Sequence, residues 1–124
     1  MMTRATVPAV TWLDPADVEA WLRLAPGTDA DLIGWCTAYA VIEVQRCRPD
    51  QWVVVITADD ETRTYTPDAE VYQTAVMLAG RVYRRRNSPG GIELFADSVA
   101  YVARFDPEIQ RGLRTGGYAW PAVG

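Results

Sequence analysis

Read for its apolar and polar positions, the chain resolves into stretches of helical period, interrupted by one β-rich stretch in the middle and another towards the end. Asp14-Pro15 opens the first helix, an Asp suited to capping followed by Pro at the first helical position. Val18, Trp21, Leu22 and Ala25 share one side of it before Pro26-Gly27 ends it. The second helix is expected from Thr28 or Asp29 to about Arg48, with Asp31 in its first turn and Pro49-Asp50 as its stop. Leu32, Ile33, Cys36, Tyr39, Ala40, Val44 and Cys47 fall on one arc at about 100° per residue. Glu43 sits in the middle of that arc, and a carboxylate there costs several kcal/mol unless it is paired. It is expected to pair with an Arg or to meet solvent at a subunit junction.

The third helix has the clearest polarity: Thr66 as cap, Pro67 as first helical residue, Asp68 and Glu70 at the positive end, and Arg84, Arg85 and Arg86 at the negative end. Val71, Ala75, Leu78 and Val82 form one apolar stripe, and Tyr72, Val76, Ala79 and Tyr83 form a second about 100° away. So wide an arc implies two neighbours: either the second helix and another copy of the chain, or one core that takes both stripes. Ala75, Ala79 and Gly80 keep the surface low enough for a close helix approach.

Between the second and third helices, residues 51–66 read as a β-hairpin, with Trp52-Val53-Val54-Val55-Ile56-Thr57 and Thr62-Arg63-Thr64-Tyr65-Thr66 joined by a polar turn at 58–61. An isolated hairpin is marginal in water, so this one must lean on the helices or pair an edge with another chain. After Asn87-Ser88-Pro89-Gly90-Gly91, residues 99–105 have strand character. Asp106-Pro107 opens a last short helix reaching about Arg114, and Gly116-Gly117 ends it. The tail Tyr118-Ala119-Trp120-Pro121 is apolar where most termini are polar, which implies a cover. The fold class expected is mainly α: a single domain over residues 1–124, a bundle of about four helices with a hairpin insertion and an extended C-terminal segment.

Composition supports one packed domain, since 124 residues with five Trp, six Tyr and two Phe bury enough area without staples. With no His in the chain, the commonest general base and metal ligand is missing. Cys36 and Cys47, on one helix, would stand about 16 Å apart along its axis, too far to bridge. Free thiols fit a reducing compartment, and the chain shows neither a signal-peptide core nor a membrane-spanning run, so synthesis in the cytoplasm is expected. No phosphate-loop, nucleophile-elbow or zinc-protease motif is present, and neither enzyme activity nor a cofactor is expected.

The net charge of −4 is unevenly spread: acids outnumber arginines as far as Gly80, and arginines outnumber acids beyond it. Opposite charge in the two parts would let copies attract one another. Arg81, Arg84, Arg85 and Arg86 form the strongest binding candidate, with three readings open: complement to the helix dipole, pairing with acids of a neighbouring subunit, or contact with nucleic acid. The acidic balance weighs against an avid duplex binder.

The run from Ala75 through Leu78-Ala79-Gly80-Arg81-Val82-Tyr83-Arg84-Arg85-Arg86-Asn87-Ser88-Pro89-Gly90-Gly91, followed by Tyr101-Val102-Ala103-Arg104-Phe105-Asp106-Pro107 and Gly117-Tyr118, resembles the head-to-tail connector, or adaptor, proteins of tailed bacteriophages. The likeness covers residues 67–124, with the two preceding helices matching by layout. It is greatest to phages of high-GC actinobacteria, whose Arg-rich, Lys-poor usage this chain shares. The resemblance implies a structural virion protein at the head–tail junction, forming a ring, usually of twelve copies, beneath the portal. Its partners would be itself, the portal and the next neck or stopper protein. DNA would pass through the channel without sequence-specific binding, and no membrane would be involved. On this reading Tyr72, Val76, Ala79, Tyr83 and Glu43 meet a neighbouring subunit. Arg81, Arg84, Arg85 and Arg86 meet acids or face the channel, and Ile109, Leu113, Tyr118 and Trp120 dock on the portal within a segment spanning residues 106–124. The hairpin departs from the family pattern, in which this connection is shorter and Pro-rich. The rivals are another neck or tail-completion protein and a small nucleic-acid-binding protein using the Arg cluster.

Overall fold

A computed structural model describes residues 12–85 and 95–115, with residues 95–98 described by backbone alone. The described chain runs α1 (Pro15–Leu22), α2 (Ala30–Cys47), a 3-10 turn (Pro49–Gln51), β1 (Trp52–Ile56), β2 (Glu61–Tyr65), α3 (Ala69–Arg84), α4 (Phe95–Phe105) and α5 (Pro107–Leu113). It is therefore mainly helical with one antiparallel hairpin, as the pattern of residues requires.

Local chemistry explains most of the boundaries. Asp14 accepts from the Ala16 amide at 2.9 Å, and Asp106 accepts from the amides of Glu108 and Ile109, each with Pro next in sequence. Both of these helices close on an arginine in the left-handed region, Arg23 and Arg114, each at φ 59°. At the end of α1 the Arg23 and Leu24 amides turn back to the Ala20 and Glu19 carbonyls, so the helix stops before Pro26-Gly27 is reached. The cap of α3 is likewise displaced, two residues beyond the sequence expectation. Asp68, not Thr66, accepts from the Val71 amide at 2.9 Å, and Pro67 lies before the helix.

α3 is the centre of the molecule, packed on α1, α2, α4 and α5. Val71, Ala75, Leu78, Ala79 and Val82 are all but fully buried, and each large side chain among them contributes about 1.5–3 kcal/mol relative to exposure. The second stripe is covered by the chain's own helices, so of the two arrangements expected, one core taking both stripes is the one found. Tyr83 donates its hydroxyl to Asp29 at the start of α2, and the half-buried Tyr72 donates to Asp17 of α1. The strand expected over residues 99–105 is helical instead. Val99, Val102 and Ala103 are buried at helical spacing, and Tyr101 and Phe105 stack outside, their centroids 4.7 Å apart.

Two glycines permit the closest approaches. A Cβ on Gly112 of α5 would lie 1.8 Å from Thr74 Oγ1 of α3, and one on Gly80 would lie 2.8 Å from the Trp21 ring. The hairpin is held at its base only. β1 pairs with β2 from Trp52↔Tyr65 to Ile56↔Glu61, and of the ten strand residues only Tyr65 is buried.

Candidate interaction surfaces

The base of the hairpin is fixed by a polar network that the sequence reading missed. Arg48, at the end of α2, has a nearly buried side chain that donates to both carboxylate oxygens of Asp50 at 2.9 Å and to the Gly112 carbonyl of α5 at 2.8 Å. Its own carbonyl accepts from the Tyr65 hydroxyl at 2.9 Å. Gln51 finishes the clamp, accepting from the Thr66 amide through its backbone and from the Asp68 amide through its side chain. The paired guanidinium holds the Asp50 carboxyl down at about 2, and burial pushes the Tyr65 hydroxyl up to about 12. Tyr65 sits between Trp12 and Trp52, each with its ring centroid 5.1 Å away. An Arg after the last apolar position of a helix, followed by Pro-Asp, was the available signal.

Beyond that base the hairpin reaches outwards for about 17 Å at the usual rise per residue. Alternation and register place Val53 and Val55 on one face with Thr64 and Thr62, and none of these carries charge. The other face carries Trp52, Val54 and Ile56 beside Tyr65, Arg63 and Glu61. All five β1 residues are exposed, Ile56 to 77%. The tip is ordered: the Thr57 amide donates to the Asp60 carbonyl at 2.7 Å, and the Asp60 amide returns to Thr57 Oγ1 at 3.1 Å. Asp59, Asp60 and Glu61 there form an acidic cap.

A second surface lies at the other end of α3. Arg81, Arg84, Arg85, Tyr101, Phe105 and Pro107 line a cleft of about 440 Å³ between α3 and α4. The Arg85 guanidinium lies 4.1 Å from the centroid of the Tyr101 ring, and its buried Nε has no hydrogen-bond partner among the described residues. Arg84 is exposed. Arg81 is committed within the chain, to Asp106 at 3.0 Å and Glu108 at 3.2 Å, where it ties α3 to the start of α5.

Several expected contact residues sit elsewhere. Val76, Ala79 and Tyr83, expected against a neighbouring subunit, are buried in the chain's own core, at 4%, 0% and 4% exposure. Ile109 and Leu113, expected to dock on a portal, are both at 0%, because α5 turns its apolar side onto α3. Glu43 pairs with Arg46 one turn along α2 and faces α4 of the same chain across a small cleft lined by Ala100, Ala103 and Arg104. Arg86, Tyr118 and Trp120 lie outside the described residues.

Neither cysteine is bridged. The Cys47 thiol is pushed up to about 11, first by burial and then by Glu43, whose carboxylate is 3.6 Å away. Such a thiol is a poor nucleophile at neutral pH. Among the described residues no His, Cys, Asp or Glu cluster is placed to hold a metal ion, and no helix is long and apolar enough to cross a membrane. Comparison with protein-family models, curated proteins and solved structures finds no match for this chain.

Proposed function

We propose that the protein is a structural component of a tailed-bacteriophage virion, assembling into a ring at the head–tail junction beneath the portal and extending the DNA channel. The observation that carries this reading is the hairpin. A chain that buries its helical stripes and yet holds five consecutive apolar residues out in water presents a surface suited to another protein. The resemblance over residues 67–124 supplies the kind of assembly, and the opposed charge of the two parts supplies a means for copies to meet. With Ile109 and Leu113 committed to the core, contact with the portal in this reading falls to the exposed side of α5 and to Tyr118 and Trp120.

The test is reconstitution. The protein is mixed with the portal encoded beside it and imaged in negative stain, alone and in the mixture. A ring seated on the portal is the expected result. A protein that forms no ring and stays unbound in the presence of that portal overturns the reading.

A second reading is favoured by a cleft that places Arg84 and Arg85 beside the exposed rings of Tyr101 and Phe105, with Arg85 over Tyr101, a combination that suits single-stranded nucleic acid. It requires a salt-dependent mobility shift with oligonucleotide that disappears in Arg84→Ser/Arg85→Ser.

A further inference from the structure

The two surfaces left open in this fold are complementary in chemistry and opposite in position. The hairpin leaves the body next to the first turn of α3, whereas the cleft is formed by the last turn of the same helix and by α4. α3 has 16 residues, which separates the two by about 24 Å along its axis. One ends in an acidic tip, Asp59, Asp60 and Glu61, carried on an uncharged face of Val53, Val55, Thr62 and Thr64. The other offers Arg84 and Arg85 at a cleft lined also by Tyr101 and Phe105, with the Arg85 guanidinium over the Tyr101 ring. Among the described residues neither arginine has an acidic partner, and none of the three tip acids has a basic one.

We propose that the hairpin of one copy docks in the Arg84–Arg85–Tyr101–Phe105 cleft of the next copy, so that the chain polymerises through one heterologous contact. Asp59 and Asp60 meet Arg84 and Arg85 at the rim, and the β-branched face covers the Tyr101 and Phe105 rings. The contact removes exposed aliphatic and aromatic area from water together, and brings carboxylates to guanidinium groups. The ordered turn at 57–60 and the ring held under Arg85 pre-form both halves, so little conformational freedom is lost on docking. Because the two patches differ and lie at opposite ends of α3, repetition yields a ring where the rotation closes and a filament where it does not. This deepens the connector reading, naming its subunit contact, and rests on that reading only for closure into a ring.

The test uses two full-length variants, Asp59→Arg/Asp60→Arg in the hairpin and Arg84→Ser/Arg85→Ser in the cleft, studied by sedimentation velocity across concentration. Val53→Ser/Val55→Ser and Phe105→Ser replace either one if its circular dichroism is not that of the parent. The parent is expected to associate with concentration, and each variant alone to bind itself at least about tenfold more weakly. Mixed in equal amounts, the two variants have one intact hairpin and one intact cleft between them, so they form a one-to-one heterodimer and nothing larger. A parent that stays monomeric up to about 1 mM overturns the proposal. So does a variant that associates like the parent, or a mixture that stays monomeric. A monomeric parent that binds oligothymidylate through Arg84 and Arg85 gives the cleft to nucleic acid instead. The two readings separate on the portal. Association through this contact without portal binding removes the connector role and leaves the contact standing. Rings on the portal that form equally well with Asp59→Arg/Asp60→Arg remove the contact and leave the role.

Discussion

α3 and β1 are each apolar over more than one face, and the fold treats them in opposite ways. α3 is apolar over a wide arc, and four other helices of the same chain cover it until Leu78 and Ala79 reach 0% exposure. β1 is apolar on both faces, and among the described residues nothing covers it beyond Trp52. Apolarity in the sequence announces that a segment needs a partner, but leaves open whether that partner is intramolecular. Here the wide helix is satisfied at home and the strand is not, so stability resides in the helical body and the capacity for assembly in the hairpin. Substitutions in the two regions should therefore have effects of different kinds.

The largest effect is expected at the centre of the body. Leu78→Ala removes a fully buried side chain between helices that cannot all close in, and should cost about 4 kcal/mol, read as a lowered urea midpoint with the slope unchanged. Next comes Gly112→Ala, whose new methyl group falls on Thr74 of α3, so α5 must shift as a unit; about 3 kcal/mol is expected in the same experiment. Gly80→Ala is the internal control. Its methyl group meets the edge of Trp21, a side chain 41% exposed and free to swing, so the loss should be well below that at Gly112.

The helical body was largely legible from residue types. Asp14-Pro15 and Asp106-Pro107 open helices where expected, α2 ends at Cys47 before Pro49, and the hairpin pairs across the expected turn. α4 was not legible as a helix. Val99, Tyr101, Ala103 and Phe105 alternate as a strand would, and the helical set Val99, Val102 and Ala103 is distinguished only once α2 and α3 are there to cover it. The same limit left the cover of the second stripe of α3 open between one core and another copy, and misplaced the apolar side of α5. A stripe read from sequence shows how much surface must be covered, whereas the covering helices come from tertiary packing, and α4 had not been counted among them. Of the binding residues, the Arg cluster was visible as charge, but its division was not. Arg81 goes to Asp106 and Glu108, while Arg84 and Arg85 stay at the cleft, because only the first sits one helical turn back, facing α5.

A smaller effect, confined to acid, is expected at the seam between body and hairpin. In the folded chain the guanidinium of Arg48 holds the Asp50 carboxyl at about 2, against an ordinary 3.8. A lowered folded value means that the pair stabilises the protein fully above about pH 4, and that this contribution is lost as pH falls towards 2. Asp50→Asn should cost about 1 kcal/mol near neutrality, as partly exposed pairs do, and little at pH 2. Urea unfolding of both proteins at several pH values between 2 and 7 measures the convergence. Curves that stay parallel throughout mean that the seam is held by the Arg48 bond to Gly112 and by Tyr65 alone.

The smallest effect on stability should come from the segment that looks most hydrophobic. Val53→Thr/Val55→Thr keeps β-branched residues in the strand and replaces one methyl group at each position with a hydroxyl. In a buried strand each change would strand a hydroxyl away from water at a cost of about 1–3 kcal/mol. In β1 both side chains already face water, at 47% and 53% exposure, so the new hydroxyls are solvated and the urea midpoint should move by less than about 0.5 kcal/mol. Self-association measured on the same preparation should nevertheless weaken, because docking would now have to dehydrate two hydroxyls that find no acceptor on the Tyr101 and Phe105 rings. Leu78→Ala should show the reverse ordering, a large loss of stability with contact strength retained in the fraction that remains folded. If the threonine pair instead lowers stability as much as a core substitution does, β1 is packed within the monomer in solution. The contrast between a self-sufficient body and an unsatisfied hairpin then fails at its foundation.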